Sequence, residues 1–159
     1  MTIPDATDAI GSTVSDFPTF FGEAEPRLRR ALVSRYGHDA GREATATALA
    51  WGFEHWSELR TMTNPTGYLF RVGCSRARPR KRRALFDAPV QHEPHIEPGL
   101  RAALERLSPN QRTAVVLVTA FDWKVDEVAA LMDVSASTVN THLRRGLAVL
   151  RKRLGVELP

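Results

Sequence analysis

The chain has one cysteine in 159 residues, Cys74, so no internal disulfide can form and a disulfide-stapled secreted fold is excluded. No run of 18 or more apolar residues occurs, which excludes a transmembrane helix and predicts no membrane partner. The first sixteen residues have neither a basic start nor an apolar core, so no signal peptide is expected and the protein is expected in the cytoplasm. A phosphate-binding glycine loop and a nucleophile motif are both missing, so an enzyme is not expected. His92 and His95, with Glu97, sit on a proline-broken stretch without further convincing ligands; neither a metal nor a cofactor is expected. Strand signals are sparse, because the β-branched residues mostly fall in helix-period patterns. With 43% hydrophobic and 25% charged residues the chain still has the composition of a folded, soluble protein.

Charge is unevenly placed along it. The net value is +4, yet residues 64–83 hold Arg71, Arg76, Arg78, Arg80, Lys81, Arg82 and Arg83 with no acid among them. A field over a polyanion decays within roughly 8–10 Å, so local concentration matters more than the total. Arg78 to Arg83 reads either as a solvated basic linker or as a segment facing phosphates.

Proline and glycine divide the chain. Pro79, Pro89, Pro94, Pro98 and Gly99 leave no room for a long regular element, so residues 79–98 read as a linker between two helical bodies. The expected organisation is all-α: a flexible N-terminus over 1–16, a first helical domain over 17–78, the Pro-rich linker over 79–98, and a second helical domain over 99–155. In the first domain Asp16 is placed to cap a helix from Phe17 to Tyr36, ended by Gly37. Its Phe17, Phe20, Phe21, Leu28, Ala31 and Leu32 form the expected inner face. Asp39 is expected to cap a second helix reaching Leu59, with Ala46, Leu49, Ala50, Phe53 and Trp56 inward. Asn64-Pro65 opens a third, with Tyr68, Leu69, Val72 and Ala77 inward, stopped by Pro79. In the second domain a short helix over 99–107 precedes Ser108-Pro109, which caps the apolar helix through Val115–Val118 to Phe121.

The spacing in residues 125–154 is more telling. Val125–Met132 reads as a helix in which Ala129 is small at a close approach, between Val128 and Met132. Asp133 takes the tight-turn position where glycine is commoner, since Asp tolerates left-handed geometry. Val134 is expected to plug the turn from inside, and Ser135 to cap a last helix from Ala136 to Leu154. Val139, Leu143, Leu147, Leu150 and Leu154 give that helix one apolar face. No acid occurs between Ala136 and Leu154. The pattern predicts a helix-turn-helix whose last helix offers Ser137, Thr138, Asn140, Thr141, Arg144 and Arg145 to base edges, with Arg151 and Lys152 better placed for phosphates. Asn pairs with adenine and Arg with guanine, each through two hydrogen bonds, and Thr meets a hydroxyl acceptor or a thymine methyl.

These residues carry a resemblance. Leu107 to Leu154, LSPNQRTAVVLVTAFDWKVDEVAALMDVSASTVNTHLRRGLAVLRKRL, resembles region 4 of a sigma-70-family sigma factor of the extracytoplasmic-function type. Trp56, followed by Asn-Pro-Thr-Gly-Tyr-Leu-Phe-Arg-Val over Asn64 to Val72, is similar to that family's region 2. The resemblance spans Phe17 to Leu154. It implies a protein that performs no catalysis, binds core RNA polymerase at its clamp and flap, and directs it to promoter DNA. Region 4 would read the −35 duplex through Asn140, Thr141, Arg144 and Arg145. Region 2 would capture the opened −10 strand near Trp56, Arg71, Ser75 and Arg76 and meet the polymerase through Glu43 and Thr47. The linker around His92 to Glu97 would thread into the polymerase, and an anti-sigma factor is a further possible partner.

The match has departures. Where the family's second helix carries an acidic-and-glutamine patch, only Glu43 keeps an acid and Ala46 stands in place of glutamine. Ser75 replaces a common asparagine, and Pro79 cuts the third helix short. Two other readings stay open at this point. One is a stand-alone helix-turn-helix regulator, since Val134 to Leu143 also resembles response-regulator-type activators. The other is a degenerate sigma that only binds the polymerase.

Overall fold

The computed structural model describes residues 16–77 and 98–155. The linker placement, the basic run from Arg78 to Arg83 and the His92–His95–Glu97 group lie outside the described residues. Among those described there are eight helices and no strand, as the all-α reading expects: α1 (Phe17–Tyr36), α2 (His38–Glu54), α3 (Trp56–Leu59), α4 (Pro65–Arg76), α5 (Pro98–Glu105), α6 (Pro109–Ala120), α7 (Val125–Met132) and α8 (Ala136–Leu154).

Local chemistry sets the helix starts. The Asp16 carboxylate accepts from the Thr19 amide at 3.0 Å, Asn64 Oδ1 from the Gly67 amide at 2.9 Å, and Ser135 Oγ from the Thr138 amide at 3.2 Å. Ser108 and Gln111 form a reciprocal capping box at the start of α6. Each satisfies amides that a helix leaves without an internal partner. One start differs from expectation. Asp39 does not cap α2; Gly37, at φ 84°, precedes it without a side-chain cap, and Asp39 lies in the first turn. The helix also does not run through to Leu59. It stops at Glu54, His55 leaves helical geometry, and α3 follows as a separate turn. His55 stacks on Trp51 with ring centroids 4.2 Å apart, and its Nδ1 meets the Trp51 carbonyl at 2.9 Å.

Burial corrects the expected faces of α1 and α2. The inner side of α1 is Phe20, Ala24, Leu28, Ala31 and Leu32, whereas Phe21 is 42% exposed. In α2 the buried residues are Gly41, Ala44, Thr45, Ala48, Leu49 and Gly52. Ala46, Ala50 and Phe53 face outward, Phe53 at 67% exposure. The cause is close approach. A Cβ on Gly41 would lie 2.4 Å from Val33 Cα, so α2 packs its small-residue stripe against the α1 backbone and turns the bulkier stripe away.

The two halves are not held only by their linker. One apolar cluster runs from Phe20, Leu28, Leu32, Leu59 and Leu69 through Leu117, Trp123, Val128 and Val139. A fully buried leucine contributes about 1.5–3 kcal/mol relative to exposure, so Leu28, Leu32, Leu59, Leu69 and Leu117 together are a large fraction of the driving force. A smaller cluster of Ala103, Leu107, Val115 and Leu150 joins α5, α6 and α8. The polar edge of the contact between the halves is specific. Arg27 on α1 lies 4.3 Å over the Trp123 ring and pairs with Glu127 at 3.5 Å. Arg35 donates to Asn110 Oδ1 at 2.6 Å. The buried Arg112 donates to the carbonyls of Leu104, Leu107 and Arg35 at 3.0, 2.9 and 2.8 Å. Burial pulls its guanidinium below the ordinary value, against the charge of Glu105, and Arg35 adds to the lowering.

Candidate nucleic-acid interface

The turn between α7 and α8 has the geometry that the sequence asks of it. Asp133 sits at φ 57°, ψ 48°, left-handed, and its amide and that of Val134 return to the carbonyls of Ala130 and Ala129. Val128 and Ala129 are buried behind it. Val134 does not plug the turn; it is 36% exposed, because the chain needs only the left-handed residue and the Ser135 cap to reverse here.

Ser135 organises the start of α8. Its hydroxyl caps Thr138 and lies 2.9 Å from Ser137 Oγ and 2.8 Å from Thr138 Oγ1. Thr141 Oγ1 donates back to the Ser137 carbonyl at 2.9 Å. Val139, Gly146 and Leu150 bury the opposite face. At Gly146 an added Cβ would lie 2.6 Å from Val115 Cγ2, which sets α8 directly against α6. Ser137, Asn140, Arg144 and Arg145 are exposed, Thr138 and Thr141 are half-buried, and Arg151, Lys152 and Arg153 are exposed in the last turn. The helix dipole favours cations there. Asn140, Arg144 and Arg145 have no hydrogen-bond or ion-pair partner among the described residues. Eight candidate side chains thus share one helix with no carboxylate; of the six expected at base edges, Asn140, Arg144 and Arg145 are unengaged.

The four −10 candidates in the first half go to four different neighbours. Trp56 is half-buried, its ring 5.5 Å from Phe17 and 5.2 Å from Phe20, within the aromatic edge of the core. Arg76 is exposed and lines a shallow depression together with Glu43 and Thr47, so a −10 candidate and both polymerase candidates share one surface. Ser75 donates to the Val72 carbonyl at 2.9 Å and is exposed. Arg71 pairs with Asp133 across the two halves and lies 5.5 Å over the Tyr68 ring. Among the described residues no cluster of three or more His, Cys, Asp or Glu side chains is arranged to hold a metal. Cys74 is half-buried, and burial pushes its thiol up, against the Tyr36 hydrogen bond and the Arg35 charge. No described helix is long and apolar enough to cross a membrane.

Residues 99–150 match the family model "Sigma-70, region 4". That stretch is similar to sigma-70 region 4 and takes in α6 and α7 with most of α5 and α8. The chain is homologous to the RNA polymerase sigma factor CarQ of Myxococcus xanthus, at 35% identity over 68 residues, which is 43% of this chain and 39% of that protein. The match therefore spans about two fifths of the relative's length. The fold as a whole is that of the sigma factor RpoE from Bartonella quintana, solved in complex with the anti-sigma factor NepR: the TM-score is 0.67 at 20% identity, over 91% of this chain and 100% of that one. At that identity the likeness establishes fold, and it extends the comparison from the region 4 domain to α1–α4.

Several residues of the second half were not singled out by the sequence pattern. Arg112, Asn110 and Glu127 all contact the first half. Arg112 had a signal, a lone guanidinium opening an otherwise apolar helix. Asn110 and Glu127 read as ordinary cap-proximal residues and had none.

Proposed function

We propose that the protein is a sigma factor that binds core RNA polymerase and brings it to promoters. Region 4 would read the −35 duplex through Ser137, Thr138, Asn140, Thr141, Arg144 and Arg145, with Arg151 and Lys152 on the backbone. The first half would take the opened −10 strand near Arg71, Ser75 and Arg76, with Trp56 stiffening that end of the domain. Glu43 and Thr47 would face the polymerase clamp. The protein would act in the cytoplasm beside the polymerase and carry out no catalysis of its own. Flipped bases held by stacking and in pockets offset lost pairing, so opening needs no fuel.

The observation that carries this reading is α8: an acid-free helix in a region 4 domain, holding Asn140, Arg144 and Arg145 exposed and unengaged. Base-edge contacts from the N-terminal half of such a helix specify sequence, while the basic C-terminal turn adds affinity without specificity. An anti-sigma partner is supported by the complex in which the structural neighbour was solved. A stand-alone regulator is not favoured, since the fold likeness covers the first half as well.

The test is co-purification with core polymerase alongside duplex selection from a random library. The reading predicts a stable polymerase complex and a selected motif lost in Arg144→Ala. Selected duplex binding without any polymerase complex would overturn it.

A further inference from the structure

Three contacts dock α4 and its cap on the end of α7. Asn64 Nδ2 donates to the Ala130 carbonyl at 2.7 Å, a last-turn carbonyl to which the Asp133 amide reaches only at 3.4 Å. A Cβ on Gly67 would lie 2.9 Å from that same carbonyl, so the approach needs glycine at this position. Arg71 then pairs with Asp133. Asp133 stands at a backbone position where glycine would be unstrained, and only a carboxylate there engages Arg71.

We propose that Asp133 is an internal stand-in for a nucleic-acid phosphate. It occupies Arg71 while the halves are packed, and a single strand arriving at α4 displaces it, so strand capture and loosening of the contact between the halves are one linked event. Carboxylate and phosphate offer a guanidinium the same two-oxygen target, and one Arg71 cannot serve both in full. The pair is half-exposed on the arginine side and more so on the aspartate side, which makes it readily reversible. The contact leaves Ser137, Asn140, Arg144 and Arg145 exposed, so duplex reading by α8 is independent of it. The consequence is asymmetric: closure opposes single-strand binding and leaves duplex binding alone. This rests on the reading of α4 as the strand-capture face.

The experiment places donor and acceptor dyes at Glu58→Cys and Ala102→Cys in a Cys74→Ser background, both exposed positions, one on each half. Energy transfer is followed during titration with a single-stranded oligonucleotide, and duplex affinity is measured in parallel. We expect transfer to change as the strand saturates. Asp133→Asn should bind the strand roughly two- to five-fold tighter, the range of an exposed ion pair, with unchanged duplex affinity. Asp133→Gly, which suits the left-handed turn, should repeat that gain and so separate loss of charge from turn strain. Strand binding that leaves transfer unchanged, or equal strand affinity in all three proteins, would overturn the competition alone. Failure of every protein to bind the strand, with duplex binding intact, would remove the capture reading and the competition with it.

Discussion

The Arg112 guanidinium, in the second half of the chain, donates to the backbone carbonyl of Arg35 at 2.8 Å, 77 positions away. Its other two nitrogens are spent on Leu104 and Leu107, so one buried side chain ties the α5–α6 turn to the end of α1. Arg112→Ala should lower stability by about 2–4 kcal/mol, since three carbonyls lose a charged donor and a void opens. Arg112→Lys should recover little, because one ammonium cannot reach three carbonyls set around a planar fork. Urea unfolding of the three proteins checks this, and a lysine variant as stable as the wild type would contradict it.

The two ends of α8 should behave differently. Arg144→Ala should cost about 1–3 kcal/mol at the selected duplex and relax preference at one base pair. Arg151→Ala should weaken binding to all duplexes alike and reduce the slope of log affinity against log salt by about 1. Fluorescence anisotropy at several salt concentrations reads both. The roles are wrong if Arg151→Ala relaxes sequence preference and Arg144→Ala does not.

Two glycines should respond with opposite sign to the same substitution. Gly41→Ala drives a Cβ to 2.4 Å from the Val33 backbone and should lower stability by about 1–3 kcal/mol, despite better helix propensity. Gly22, in α1, has nothing within 4 Å of its added Cβ, so Gly22→Ala should raise stability by about 0.5–1 kcal/mol. Equal effects in thermal melts would argue against the close α1–α2 approach.

Cys74 should be a sluggish thiol. Burial raises its pKa, so the folded protein holds less thiolate than the unfolded chain at any pH in the thiol range. Alkylation of the native protein should be slower than of the denatured chain between about pH 7 and 9. The linkage has a sign: the native state keeps its proton to higher pH than the unfolded state, so this contribution to stability is intact below the unfolded pKa and is lost as pH rises through the folded one. Equal native and denatured alkylation rates would refute the burial argument.

Much of this was legible locally. Asp16, Asn64, Ser108 and Ser135 act through amides three residues away, and Asp133 through its own φ, so each signal lies inside a short window of sequence. The acid-free face of α8 is likewise written in one helix. The face of α2 was misread because Ala46, Ala50 and Phe53 have helical spacing and the larger hydrophobic content. Close contact at Gly41 outweighs that content, and spacing alone does not reveal which stripe a neighbouring backbone can approach. The packing of the halves was not legible either. Arg112 with Arg35, Asn64 with Ala130 and Arg71 with Asp133 join residues 62 to 77 positions apart, and no local pattern encodes such partners.

Promoter-directed transcription tests the central claim most directly. Core RNA polymerase would be supplied with the full chain and with its Arg144→Ala variant, on templates carrying the duplex motif that α8 selects. The account predicts initiation at a fixed distance downstream of that motif with the wild-type chain, and its loss with the variant. Transcription indistinguishable from polymerase alone, while the chain still binds the motif, would contradict it.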